Sequence, residues 1–113
     1  MVGMNKYIVK NSGKRENYKS GMVRDTQDSK PDYTLIDQSG LERVALHLVK
    51  GAEKYGRGNW RLANSEQELN RFKSSALRHI YQWLRGDEDE DHMAAVVFNL
   101  FAAEYVKGKL NGK

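Results

Sequence analysis

Apolar residues recur at steps of three and four in three successive segments of the chain, and this spacing constrains the fold more than any other feature. Such spacing lines one face of an α-helix. The first segment carries Leu41, Val44, Ala45, Leu48, Val49 and Ala52, the second carries Leu69, Phe72, Ala76, Ile80 and Trp83, and the third carries Met93, Val96, Val97, Leu100 and Phe101. The sequence therefore predicts an all-α fold with three main helices.

The ends of these helices are also indicated by local sequence. Two pairs have the spacing of a capping box, Ser39 with Glu42 and Ser65 with Glu68. In this motif a hydroxyl and a carboxylate satisfy free backbone donors at a helix start. Glycines after the first two segments predict that the first helix ends near Tyr55 and the second at Gly86, and the third is predicted to continue to about Lys107.

The third segment is apolar around much of its circumference, as its sequence MAAVVFNLFAA shows. In a three-helix monomer of 113 residues, the other two helices are not expected to cover all of this apolar surface. We therefore expect a helical bundle that is completed by self-association, as a homo-oligomer such as a dimer or tetramer.

Residues 1–38 differ from the rest in composition. They hold Pro31, which is the single proline, and many turn-forming residues, so they are predicted to form an irregular, extended N-terminal arm. The helical domain is predicted over residues 39–113.

Charge and composition exclude several classes of protein. The net charge of +4 is too small to indicate nucleic acid as a partner, and the chain has no cysteine for disulfides or thiolate metal sites. The longest uncharged stretch, from His92 to Ala103, is too short for a membrane span, which needs roughly 18 apolar residues. The start MVGMNKYIVK lacks the features of a signal peptide. We expect a cytoplasmic protein.

Five consecutive acids, Asp87 to Asp91, form the densest charge feature of the sequence. Such crowded like charges require compensation by a helix dipole, by basic side chains or by a divalent cation. Oxygen ligands alone would select Mg²⁺ or Mn²⁺ rather than zinc. The alternative is a solvated acidic turn that caps the third helix.

Polar residues within the apolar helices are candidates for a site or for a buried hydrogen-bond network. His92 and Asn99 project from the same side of the third helix, and His79 lies on the second helix, four residues before Trp83. Each must find a partner if it is buried. The sequence leaves both interpretations open.

A glycine-flanked segment after the first helix combines basic, amide and aromatic side chains, namely Lys54, Tyr55, Arg57, Asn59 and Trp60. These groups offer phosphate contacts and a surface on which a base can stack. The alternative is a helix end followed by an aromatic residue that anchors packing. Glu42 and Glu53 lie on one side of the first helix and are its candidates to face the acidic run.

The ordered pieces of the sequence resemble a known family. G-x-x-R-D, K-P-x-Y, L-E-R-x-A, G-A-x-K-Y-G-x-x-N-W, R-H and G-D-x-x-E-D-H followed by F-N run in this order from about Ser20 to Tyr105. This string is similar to that of the bacteriophage dATP/dGTP diphosphohydrolase-like proteins, small all-α relatives of the MazG pyrophosphohydrolases.

The resemblance implies a reaction in which Mg²⁺ or Mn²⁺ assists water in attacking the α-phosphorus of a purine dNTP, releasing pyrophosphate and the monophosphate. It implies Asp87, Glu90 and Asp91 as metal ligands, with Glu42 as a first-helix candidate. His92, Asn99 and His79 would orient ligands or move protons, with Glu90 as a further catalytic candidate. Lys54, Tyr55, Asn59 and Trp60 would hold phosphate and base, and Arg24 and Lys30 would close over the triphosphate. Glu88 and Asp91 match the E-x-x-D pair of MazG enzymes, but the first helix lacks their E-x-x-E pair.

Three functions follow as hypotheses. The first is a pyrophosphohydrolase that shapes the nucleotide pool in a phage-infected bacterial cell. The second is a non-catalytic module that binds or sequesters a nucleotide or nucleotide signal. The third is a phage protein that binds a host protein through its apolar third helix.

Overall fold

The computed structural model describes residues 7–112, and the chain divides into two units between Leu35 and Ile36. The first six residues of the predicted arm lie outside the described residues. The first unit contains two short strands, β1 (Arg15–Asn17) and β2 (Val23–Asp25), which pair as an antiparallel hairpin with Glu16 opposite Arg24. This hairpin has no signature in the sequence, because a strand of three residues is too short to show alternation.

The second unit contains three α-helices, which confirms the predicted all-α architecture. They are α1 (Gln38–Tyr55), α2 (Glu66–Arg85) and α3 (His92–Leu110), and a 3₁₀ turn over Asn59–Leu62 connects the first two. The predicted ends at Tyr55 and Gly86 are confirmed, and α3 continues three residues past Lys107. Across residues 7–112, no helix combines the length and apolar character that a bilayer crossing demands.

The capping prediction is confirmed for α2. Ser65 Oγ accepts from Glu68 N at 3.2 Å, and the Glu68 carboxylate accepts from Asn64 N at 2.9 Å and from Ser65 Oγ at 2.7 Å. These bonds satisfy backbone donors that have no partner within the helix.

The predicted cap of α1 is wrong. Asp37, not Ser39, occupies the cap position, and its Oδ2 accepts from Gly40 N at 3.0 Å and from Ser39 Oγ at 2.9 Å. Aspartate caps a helix as well as serine does. Ser39 lies inside the first turn of α1, and its hydroxyl donates to the capping carboxylate.

The central helix is α3, which packs mainly against α2 and also against α1. Small side chains on α3, Ala94, Ala95, Ala102 and Ala103, are buried, as is Val106. At the other end from the acidic loop, Leu69, Ala63, Ala103 and Val106 form a core cluster with Phe72 packed against it.

The helix directions follow from the contacts between side chains. Arg43 binds Asp91 at the start of α3, and the ring of His47, one turn later on α1, lies 5.5 Å from that of Phe98. Hence α1 and α3 run in the same direction. Because His79 near the end of α2 contacts His92 at the start of α3, α2 runs the opposite way.

Replacement of Leu69 tests this core. Leu69 is only 4% exposed and lies in the cluster with Val106, so we expect Leu69→Ala to lower the free energy of unfolding by about 2–4 kcal/mol. Urea titration followed by circular dichroism measures this loss. The control Leu62→Ala, at a side chain 74% exposed, should change it by less than about 0.5 kcal/mol. Equal losses in both variants would contradict the described core.

Candidate functional site

A five-residue acidic loop, Asp87 to Asp91, connects α2 to α3. Gly86 ends α2 with φ of 84°, in the left-handed region that glycine adopts without penalty. The amide of Asp87 donates to Gln82 O at 3.0 Å, and that of Gly86 donates to Trp83 O at 3.0 Å. These hydrogen bonds end α2 in a tight turn. The five acids then lie in the short loop between α2 and α3.

Asp91 alone of the five acids caps α3, and the other four lie outside its first turn. α3 begins at His92, and Asp87 to Glu90 lie in the loop that precedes it.

Asp87, Asp89 and His92 converge at one point of the loop. One ligand-capable atom from each side chain lies within 4.8 Å of the other two. His92 Nε2 lies 2.8 Å from Asp89 Oδ1, and the hydrogen bond between them lowers the pKa of the Asp89 carboxyl. The His92 side chain is only 1% exposed, while that of Asp89 is 66% exposed. The cluster thus joins a buried imidazole to carboxylates at the surface.

Asp87 also pairs with Arg85. The guanidinium of Arg85, the last residue of α2, lies 2.5 Å from Asp87 Oδ2. Both side chains are on the solvent side of the loop, where such a pair contributes little to stability.

The buried histidines form the inner part of the site. His79 Nδ1 on α2 lies 2.8 Å from His92 Nδ1 on α3, and both residues are buried. Only one proton fits between two nitrogens at this distance, so one ring donates and the other accepts. Burial lowers the pKa of His79, which favours its neutral form.

Asp91 is held by Arg43 rather than left open for a ligand. Arg43 Nε donates to Asp91 Oδ2 at 2.8 Å and its NH2 group donates to Oδ1 at 2.7 Å, while Ala94 N also donates to Oδ1 at 3.1 Å. The hydrogen bonds from Arg43 are the main cause of the lowered pKa of Asp91, which is about 2. Asp91 therefore ties α1 to the start of α3, and its role as a metal ligand stays a prediction.

Glu90 lines a groove of about 370 Å³ beside the loop, together with Arg43, Trp83, Met93 and several of the acids. Glu42 lies one residue before Arg43 on α1 and is exposed. The metal and catalytic roles predicted for these two glutamates stay predictions.

Asn99 is buried on α3, and its side-chain amide donates to Ala95 O at 2.8 Å. This bond within α3 satisfies one of its donors. It gives Asn99 a structural partner, and a role in orienting substrate stays a prediction.

The basic and aromatic segment lies away from the acidic loop. Trp60 is half-buried, with its ring edge-on to Phe98 at 5.9 Å and to Tyr105 at 5.2 Å, which is the packing anchor that the sequence left as an alternative. Lys54 Nζ lies 5.1 Å from the centre of the exposed Tyr55 ring. Eleven residues separate Lys54 from Arg43, roughly 16 Å along α1. Lys54, Tyr55, Asn59 and Trp60 are therefore not adjacent to the acids within one chain.

Arg24 and Lys30 belong to the first unit. Arg24 lies on β2, and the amide of Lys30 donates to Gln27 O at 3.0 Å in a turn. Their predicted closure over a triphosphate stays a prediction.

Sequence reasoning missed Asp89 as a ligand candidate and Arg43 as the partner of Asp91. The spacing of Asp89 and His92 is i to i+3, a signal that could have singled out this pair. Arg43 lies 48 residues from Asp91 along the chain, and its local sequence carries no signal for the contact.

The comparisons with known proteins confirm the family resemblance. A model of the family described as dATP/dGTP diphosphohydrolase, N-terminal, matches residues 19–111, which is most of the 113-residue chain. No curated protein and no solved structure matches the chain.

The Arg43–Asp91 pair predicts how stability depends on pH. The pKa of Asp91 is depressed to about 2 in the folded state, so its contribution is present above the ordinary carboxyl pKa and is lost as the pH falls through about 2. In Arg43→Met we expect this pKa to rise toward 3.8, as measured by carboxyl NMR. The stability difference between the two proteins should shrink in acid. An unchanged pKa of Asp91 would contradict the contact, and Arg71→Met on α2 is the matched control.

Proposed function

The chain belongs to the dATP/dGTP diphosphohydrolase family over residues 19–111, and from this membership we propose that it hydrolyses purine dNTPs to monophosphate and pyrophosphate. The observation that carries the proposal is the convergence of Asp87, Asp89 and the buried His92 at the edge of a groove. We place the activity in the nucleotide metabolism of a phage-infected bacterial cell, in its cytoplasm.

The charge of the groove supports a need for a divalent cation. Its lining includes four acids, Asp87, Glu88, Glu90 and Asp91, and the guanidinium of Arg43 is already bound to Asp91. A triphosphate would be repelled by such a surface. Mg²⁺ or Mn²⁺ held by the loop would offset this charge and activate a water.

The chain's own residues supply the remaining chemistry. In the proposed reaction, the oxygen of water bonds to the α-phosphorus, the bond from that phosphorus to the bridging oxygen breaks, and pyrophosphate leaves. Glu90 is exposed in the groove and is our candidate to accept the proton of the water. His92 and His79 hold the inner wall of the site through their contact.

Self-association is supported by an apolar surface shared by α1 and α3. Leu41 and Leu48 on α1 and Leu100 and Phe101 on α3 are exposed, Phe101 by 65%. The two helices run in the same direction. Viewed along that direction, the α1 side chains lie roughly 90° to one side of the α1–α3 contact line and the α3 side chains roughly 90° to the other side of theirs. Both sets therefore face the same side of the helix pair. We propose that a second copy covers this surface.

A two-fold arrangement of the copies would also serve the site. If the helices of the two copies run antiparallel, the end of α1 with Lys54 and Tyr55 in one copy approaches the acidic loop of the other. Lys54 and Tyr55, which are predicted to bind phosphate and base, would then lie near the cation-binding loop of the other copy.

The non-catalytic nucleotide-binding module is the second candidate. It is favoured by the lack of an E-x-x-E pair on the first helix, which leaves Glu42 and Glu53 as the acids of α1. Calorimetry with dATP in the presence of a chelator separates the two functions, because a pure binder keeps its affinity without metal.

Hydrolysis of the four dNTPs with Mg²⁺ or Mn²⁺ tests the proposed activity. We expect pyrophosphate and monophosphate from dATP and dGTP, resolved by ion exchange, and none after chelation. Asp87→Asn should lower kcat/KM at least about tenfold, because the cation would lose a ligand. The control Glu104→Gln, at an exposed acid of α3 paired with Lys107, should leave kcat/KM unchanged. Absence of pyrophosphate from every dNTP would refute the activity.

Light scattering after size exclusion tests the proposed self-association. The wild type should elute as a dimer or tetramer, and Leu48→Glu should shift it to monomer because a charge would be buried at the interface. Leu77→Glu, at an exposed leucine of α2, is the matched control and should keep the oligomer. A monomeric wild type would contradict this expectation.

A further inference from the structure

The cluster at the acidic loop contains a nitrogen donor, and this changes which cation it suits. We infer that Asp87, Asp89 and His92 Nε2 form a mixed nitrogen and oxygen site that binds Mn²⁺ in preference to Mg²⁺, with His79 as the positioning residue of His92. This inference rests on the proposed function in one respect, since it assigns ligands to the cation that the activity requires.

The three donor atoms lie close enough together to meet on one ion after a small adjustment. They lie within 4.8 Å of one another, and His92 Nε2 and Asp89 Oδ1 are 2.8 Å apart. Two ligands that bind one ion at about 2.1 Å and at right angles are about 3 Å apart. His92 and Asp89 therefore need to separate by only a few tenths of an ångström to admit a cation.

The neighbouring acids have other partners or positions. Both carboxylate oxygens of Asp91 are bound by Arg43, so this residue would have to give up a bidentate ion pair to become a ligand. The carboxylate of Glu90 lies outside the group of atoms that share the 4.8 Å limit. The ligand set is thus one imidazole and two carboxylates.

His79 fixes the ring of His92 from the side away from the carboxylates. A histidine that binds a metal through one nitrogen usually donates its other N–H to a neighbour, which sets both the tautomer and the ring orientation. His92 Nδ1 faces His79 Nδ1 at 2.8 Å, and both rings are buried. Without a cation, the Nε2–H of His92 donates to Asp89 Oδ1. A cation bound by Nε2 would take the place of this proton, and His92 would then donate its Nδ1–H to His79 Nδ1, with the His79 proton on Nε2.

The nitrogen donor decides the preference between cations. Mg²⁺ is bound in proteins by carboxylates and water in a strict octahedron, and it gives up water reluctantly. Imidazole suits transition ions such as Fe²⁺ and Zn²⁺ best, and Mn²⁺ is the weakest-binding member of their series and shares the carboxylate ligands of Mg²⁺. Of the two ions that the proposed activity could use, only Mn²⁺ is a transition ion and can profit from the imidazole. A buried imidazole next to two carboxylates therefore favours Mn²⁺ over Mg²⁺.

Electron paramagnetic resonance of Mn²⁺ added to the full-length chain tests the ligand set directly. Pulsed measurements should show ¹⁴N coupling from a directly bound imidazole. A continuous-wave titration gives the Kd of Mn²⁺, and competition with Mg²⁺ gives the Kd of Mg²⁺; we expect the Kd of Mn²⁺ to be at least about tenfold lower. His92→Gln should abolish the nitrogen coupling and weaken Mn²⁺ binding about 10–100-fold.

Variants of His79 separate positioning from ligation. His79→Leu removes the acceptor for His92 Nδ1–H, so Mn²⁺ binding should weaken about tenfold while ¹⁴N coupling persists. His79→Gln, whose amide oxygen can accept the same hydrogen bond, should recover most of the affinity. His47→Gln, at a histidine of α1 outside the cluster, is the matched control.

The outcomes distinguish the inference from the proposed function. Mn²⁺ bound to the wild type without ¹⁴N coupling, or no Mn²⁺ binding at all, overturns the inference without requiring any variant to fold. Nitrogen-coupled Mn²⁺ with no hydrolysis of any dNTP upholds the site and overturns the proposed activity. Hydrolysis supported by a cation with oxygen ligands alone leaves the activity and overturns the nitrogen site.

Discussion

The contact between His79 and His92 is the interaction on which the site depends. It joins α2 to α3 next to the acidic loop, in an interior where an unpaired ring nitrogen would be costly. Four of the buried residues of α3 are alanines, and such small side chains suit close packing against neighbouring helices. Because the outer nitrogen of His92 reaches Asp89, the same contact sets the position of a surface carboxylate. Core packing and site geometry are thereby coupled through one side chain.

The part of the fold that local sequence determines was predicted well. Helical spacing and the glycine ends located all three helices, and the cap at Ser65 is as expected. The cap of α1 was misplaced because Asp37 and Ser39 are both good capping residues, and the sequence does not say which carboxylate or hydroxyl the backbone will choose. The hairpin of the first unit was missed because its strands are too short to show a period.

The site was predictable in composition but not in arrangement. The sequence placed His92 beside five acids, but which of these carboxylates lie near its ring depends on the path of the loop after Gly86, which brings Asp87 and Asp89 close to it. Arg43 removes Asp91 from this group through a contact between residues far apart in sequence. Trp60, a candidate for base stacking, packs instead against α3. Tertiary contacts of this kind have no signature in a single sequence.

The ion pair between Arg43 and Asp91 has a consequence for how the helical unit comes apart. Most of the packing between helices is between α2 and α3. The contact of α1 with α3 is smaller, and the exposed Arg43–Asp91 ion pair lies at one end of it. Salt screens exposed ion pairs but leaves apolar burial largely intact. High ionic strength therefore weakens the contact of α1 with α3 more than the contact of α2 with α3, so α1 is the helix whose local opening salt should favour.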